Sequence, residues 1–118
     1  MGDVVGADLR TFGLGDAFGV VTACNPLGVP QPAGVNRTRT TELQSEVLRL
    51  GCAWVPVDAC STDGSHFEPS VAIAASIDES LALARRYHQL AIFWFDGVAF
   101  WIVSACSRNA RVRLPVHA

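Results

Sequence analysis

The sequence has no lysine, and all nine of its cations are arginines. Charge of either sign is scarce, at 17% of residues, and the formal net charge is −2. Without a basic cluster, the counterion release that drives nucleic-acid affinity has little to act on. No nucleic-acid partner is therefore expected, and membrane surfaces are disfavoured for the same reason. No apolar run approaches the ~20 residues that a membrane span requires. The first residues, Met1 to Val20, lack a basic segment followed by an unbroken apolar stretch, so no secretory signal is read and the expected compartment is the cytoplasm. Cys24, Cys52, Cys60 and Cys106 form no CxxC pair and read as small buried hydrophobes rather than disulfides. A zinc site built from Cys52, Cys60, His66 and Cys106 would match no standard ligand spacing, so neither metal nor cofactor is expected. The Asn36-Arg37-Thr38 glycosylation sequon counts as chance in a chain without a secretory signal. Arginine in place of lysine reads as GC-rich coding.

What is present is apolar: half of the 118 residues are hydrophobic, enough to offset chain entropy with one core. Residues 1–17 are rich in Gly and Asp and read as a loose arm, leaving a single domain over 18–118. Phe18 to Cys24 is a β-rich run stopped by Asn25-Pro26. Val35, Arg39, Leu43, Val47 and Leu50 recur at helical spacing, and Gly51 supplies a stop. Ala53 to Ala59 reads as an edge strand because Pro56 lacks a donor. The later part of Phe67 to Ala75 reads as a third strand. Ser76 and Glu79 form a capping box for a second helix whose stripe runs Ile77, Leu81, Ala84 and His88 and which is expected to end near Gln89 or Leu90. His88, as a continuation of that stripe, is expected in the core. Ala91 to Phe95 and Val98 to Val103 flank Asp96-Gly97, which predicts a type I′ hairpin. Residues 110–114 alternate and suit one more edge strand.

This order of elements predicts an α+β fold: a ferredoxin-like βαββαβ sandwich with an additional C-terminal hairpin strand, a mostly antiparallel sheet and two helices on one face. In that topology, Asn25, Asn36, Arg37, Arg39, His66, Glu68, His88 and Gln89 gather at one end of the sheet, while Asp96-Gly97 lies at the other. The aromatic run Phe93, Trp94, Phe95, Phe100 and Trp101 places large groups on both faces of a strand pair. Helices cover one face; the other calls for the N-terminal arm, the C-terminal tail or a second copy, so a homodimer is a candidate assembly.

Phe18-Gly-Val-Val-Thr-Ala-Cys-Asn-Pro26, Asn36 leading into Leu43, Glu68-Pro-Ser-Val71, and Arg85-Arg-Tyr-His-Gln-Leu-Ala-Ile-Phe93 together resemble the bacterial family catalogued as domain of unknown function 3293, over roughly residues 18 to 103. The resemblance marks Asn25, Pro26, Asn36, Glu68, Ser70 and Gln89 as recurring positions. Cys24 departs from the tryptophan usual before Asn-Pro, which argues against a catalytic cysteine there. The resemblance implies no particular activity.

Three functions fit these residues. The first is a small binding or regulatory module holding a small polar or anionic metabolite through Asn25, Asn36, Arg39, Glu68 and Gln89; several amides and few nucleophiles favour it. The second is a hydrolase or transferase with Glu68 as general acid/base, its pKa raised by partial burial, and side-chain amides stabilising developing charge. No nucleophile elbow, metal motif or phosphate loop accompanies it. The third is an interaction or structural subunit in which the same amides serve only the fold. Whether the chain is an enzyme stays open on these residues alone.

Overall fold

The structure is a computed structural model and describes residues 13–60, 67–106 and 110–114. The β-branched run after Phe18 forms β1 (Phe18–Thr22), and a single 3-10 turn follows at Pro26–Gly28. α1 (Ala33–Leu50) starts after Pro32 and stops at Gly51, whose φ of 75° is the left-handed value that glycine adopts without a Cβ penalty. Next come β2 (Trp54–Cys60), β3 (Phe67–Ile73), α2 (Ile77–Arg86), β4 (Ala91–Phe95), β5 (Phe100–Ser104) and β6 (Arg111–Arg113).

All six strands join one antiparallel sheet in the order β2-β3-β1-β4-β5-β6. It is an open sheet, wider than a four-stranded sandwich with one added hairpin strand, because β6 continues the ladder beyond β5. Pro56 lies on β2 at one edge, where its missing donor interrupts no second ladder. β6, wholly exposed and carrying Arg111 and Arg113, forms the other edge.

Strand alternation sorts the core onto the two faces. Val21, Val71, Ile73, Ile92 and Val103 pack with Leu43 and Val47 of α1 and with Leu81, Leu83 and Ala84 of α2, so both helices cover one face. Each buried Val, Leu or Ile among them contributes about 1.5–3 kcal/mol of transfer free energy. The opposite face gathers Phe18, Val20, Ala72 and Phe95, with Leu14 from the chain before β1 buried among them. Phe18 stands 5.2 Å from Phe95 and 5.9 Å from Phe100, centroid to centroid. Trp94 and Trp101 are opposite one another in the β4–β5 register and lean on the helix side.

Several expectations need correction. Val35 and Leu50 of the α1 stripe are 43% and 48% exposed, so only the middle turns of that helix are anchored. The helix α2 ends at Arg86 rather than at Gln89: the Gln89 amide donates to Ala84 O and the His88 amide to Arg85 O, with His88 at φ 58°. This Schellman closure turns His88 out to solvent instead of into the core. The β4–β5 loop spans 96–99 and is not a type I′ turn, since Asp96 lies outside the positive-φ region. Its Asp96 carboxylate accepts from the Val98 and Ala99 amides at 2.8 Å and from Trp101 Nε1 at 2.8 Å, and these donors hold its carboxyl below the ordinary range. Cys24 is buried as expected, but Cys52 is half-buried and Cys106 exposed. His66 and the Cys60 side chain lie outside the described residues. Among the described residues no group of His, Cys, Asp and Glu is gathered for a metal ion, and no helix is long and apolar enough to cross a membrane.

The capping box at α2 forms as read: Ser76 Oγ accepts from the Glu79 amide at 3.0 Å and Glu79 Oε1 from the Ser76 amide at 3.1 Å. The Ser76 amide, then its hydroxyl, hold the Glu79 carboxyl below its usual range. Ser76→Ala removes the cap and should cost about 1 kcal/mol in urea denaturation, an expectation refuted by an unchanged midpoint.

Candidate functional site

The site begins where β1 leaves the ladder. Thr22 Oγ1 donates to Pro69 O at 2.9 Å and accepts from the Cys24 amide at 3.1 Å, turning the chain away from β3. The carbonyls of Ala23 and Cys24 then need other donors. Arg39 Nε reaches Ala23 O at 2.6 Å, and Gln89 Nε2 reaches Cys24 O at 3.0 Å. Asn25 adopts φ 48°, a left-handed geometry that asparagine tolerates better than most residues. Its amide donates to Asn36 Oδ1 at 3.0 Å, while Asn36 Nδ2 returns a bond to Asn25 Oδ1 at 2.9 Å. Asn25 Oδ1 also accepts from the Gln31 amide at 3.0 Å. The two asparagines thus close the β1–α1 loop reciprocally.

A second set of bonds ties this loop to the α2–β4 joint. Tyr87 O accepts from Arg39 Nη2 at 2.6 Å and from Gln89 Nε2 at 3.2 Å, and His88 O accepts from the Leu27 amide at 2.7 Å. Arg39 also lies over the Tyr87 ring, 5.9 Å from its centroid. The Tyr87 hydroxyl donates to Glu46 Oε1 at 3.0 Å, and Glu46 pairs with Arg86, fastening α1 to α2. Burial, then the Glu46 bond and charge, push the Tyr87 hydroxyl up to about 12. Asn25, Leu27 and His88 are the non-glycine residues with positive φ among those described, and all three sit in this corner. Backbone in that region costs free energy, and it persists where surrounding bonds over-determine it.

Two cavities open beside the corner. One, of about 400 Å³, lies between the start of α1 and β3 and is lined by Cys24, Asn25, Asn36, Arg37, Thr40 and Glu68 among others. The other, about 410 Å³, opens toward the helix-free face and is lined in part by Thr22, Asn25, Glu68, Gln89, Leu90 and Phe93. Both volumes fall in the range of small-molecule sites. Asn25 and Glu68 line both cavities, so they form the wall between them. Glu68 is half-buried near the start of β3, opposite Ala59 in register.

The expected residues therefore divide. Asn25, Glu68 and Gln89 face the groove on the helix-free side, and Asn36 joins Asn25 and Glu68 around the α1 cavity. Arg39 lines neither; its Nε and Nη2 are turned onto the two carbonyls. Thr22, Leu90 and Phe93 were missing from the sequence-derived set. Thr22 had a readable signal, a polar side chain at the end of an apolar strand, whereas Leu90 and Phe93 resemble any core residue.

The family model described as "Protein of unknown function (DUF3293)" matches residues 21–92, more than half of the chain, and the chain belongs to that family. The match runs from β1 into β4 and contains Asn25, Asn36, Glu68 and Gln89. No curated protein and no solved structure matches the chain.

Proposed function

We propose that this DUF3293 chain is a small binding module whose ligand is a small polar metabolite held in the cavities on either side of Glu68. The observation that carries the reading is the division of labour within the amide side chains. Asn25 and Gln89 each anchor one end of the amide on the loop and leave the other, Asn25 Nδ2 and Gln89 Oε1, with no partner among the described residues. Both residues line the groove. Polar atoms fixed by a rigid frame, with capacity left over beside an apolar wall, suit recognition.

Binding is favoured over turnover by the nucleophiles present. The Thr22 hydroxyl is engaged with Pro69 O and the Cys24 amide, and Cys24 Sγ lies 3.6 Å from Thr40 Oγ1 and 3.8 Å from Pro69 O. The bonds of both run to backbone groups and to the Thr40 hydroxyl, none of them a base that would activate a nucleophile.

A thermal-shift screen of amino acids, amines, nucleosides and sugar phosphates tests the reading. A ligand at about ten times its Kd adds about 1.4 kcal/mol, a rise of about 5 °C for a domain of this size. Leu90, half exposed at the groove, is the position to block. Leu90→Arg should leave the unliganded midpoint within about 2 °C and abolish the shift. A screen without hits, or a hit indifferent to Leu90→Arg and Glu68→Gln alike, would defeat the proposal.

A further inference from the structure

We infer that the groove on the helix-free side takes a flat, amino-substituted nitrogen heterocycle, such as the base of an uncharged nucleoside; this rests on the binding reading above and names its ligand class. The argument starts at Gln89, which is only 8% exposed yet lines the groove. Its Nε2 spends its two hydrogens on Cys24 O and Tyr87 O, which fixes the amide orientation, since a flipped amide would set an oxygen against two carbonyls. Oε1 is thereby committed as an acceptor with no partner among the described residues. A ligand meeting it must bring an N–H or O–H.

Glu68, on the wall shared with the other cavity, offers acceptor oxygens as well. It has an interaction of its own, but a carboxylate provides about four acceptor positions, so the inference does not need it free. Asn25 Nδ2 contributes the opposite polarity: its oxygen is held by Asn36 and Gln31, leaving the amino group as a donor. The residues lining the groove therefore carry acceptors together with one donor, the complement of an exocyclic amino group next to a ring nitrogen. Phe93 and Leu90 supply the apolar wall for the ring. Among the described residues no cation lines this groove, and Arg37 lines the other cavity. With a chain net charge of −2, that composition favours an uncharged ring over a phosphate-bearing polymer.

Two amino/oxo pairs test the inference: adenosine against inosine and cytidine against uridine, titrated into the ¹⁵N-labelled chain and followed by NMR. Replacing the amino group by a carbonyl sets oxygen against Gln89 Oε1 and turns the adjoining ring nitrogen from an acceptor into an N–H set against Asn25 Nδ2. The amino member of at least one pair should bind at least about tenfold more tightly than its oxo partner and should shift the Gln89 side-chain amide and the Leu90 and Phe93 resonances. Leu90→Arg should remove those shifts. Asn25→Asp, which keeps the loop-closing oxygen and replaces the donor by an acceptor, should weaken the same ligand about tenfold while the backbone spectrum is retained. Equal or tighter binding of both oxo members overturns the inference and leaves the binding reading standing. Silence from all four nucleosides, beside a groove-blocked hit in the metabolite screen, does the same. Silence in both experiments overturns the two together.

Discussion

Arg39→Met should lower the free energy of unfolding by about 2–4 kcal/mol, read from urea denaturation followed by tryptophan fluorescence. Methionine keeps the length and apolar volume of the arginine stem, so the loss reports the guanidinium and not a cavity. Two charge-assisted bonds disappear, Nε to Ala23 O and Nη2 to Tyr87 O, each 2.6 Å long. Bonds to charged groups are worth about 1.5–3 kcal/mol each, and because Arg39 is half-buried, water offsets part of that loss. The carbonyls left behind belong to two separate joints, the exit of β1 and the end of α2, so removing one side chain loosens both. Arg39→Lys should recover part of the loss, since an ammonium restores charge without the planar fork that spans two acceptors. Arg37→Met, two residues away on an exposed position, should fall within about 0.5 kcal/mol of the parent. A loss below 1 kcal/mol for Arg39→Met would show that the guanidinium does not hold the corner together.

That structural use of Arg39 marks the border of what the sequence discloses. A positive residue in the first turns of a helix, near amides and a carboxylate, has the composition of an anion site. Only three-dimensional placement reveals that its Nε and Nη2 are directed to backbone carbonyls 16 and 48 residues away in sequence. Asn25, Asn36, Glu68 and Gln89, by contrast, line the two adjoining cavities, and strand order with helix crossover direction is the reason that such positions can be related from sequence: it constrains ends of elements more tightly than individual contacts. The alternation of Phe93 and Trp94 is legible as faces because a strand has a period of two. His88 was misread for a local reason. Its position continues the stripe of Ile77, Leu81 and Ala84, but the helix closes one turn earlier with a histidine in the left-handed position that glycine usually marks. Asp96 was misread similarly: Asp-Gly fits a two-residue turn, and the acceptor that wins is the side chain, taking the Val98 and Ala99 amides and the Trp101 indole at once. In both cases a hydrogen-bonding option invisible to pattern outweighed a common motif.

The same corner depends on a close approach at its far end, and Gly19→Ala should expose that dependence with a loss of about 1–3 kcal/mol in urea denaturation. A Cβ at residue 19 would lie 2.3 Å from Ser80 Oγ and 2.8 Å from Ser80 Cβ, closer than real atoms sit. Ser80 cannot step aside cheaply: it is fully buried on α2 and its hydroxyl donates to Ser76 O at 2.9 Å. Nor can Gly19, which is paired with Ile73 on one side and Trp94 on the other. The helix has to lift off β1, and the turn that closes it carries Tyr87 O and Gln89. The substitution should therefore also displace the Gln89 and Cys24 amide resonances, although neither residue adjoins position 19. Ser80→Gly removes both clashing atoms and should cost about 1 kcal/mol by itself as a helix-interior glycine. In the double variant, the alanine occupies the space that serine vacates, so its stability should approach that of Ser80→Gly alone and the Gln89 resonance should return toward its parent position. Losses that simply add in the double variant would show that the strand and helix are free to separate there, and that Gly19 does not set the distance from which Gln89 is held.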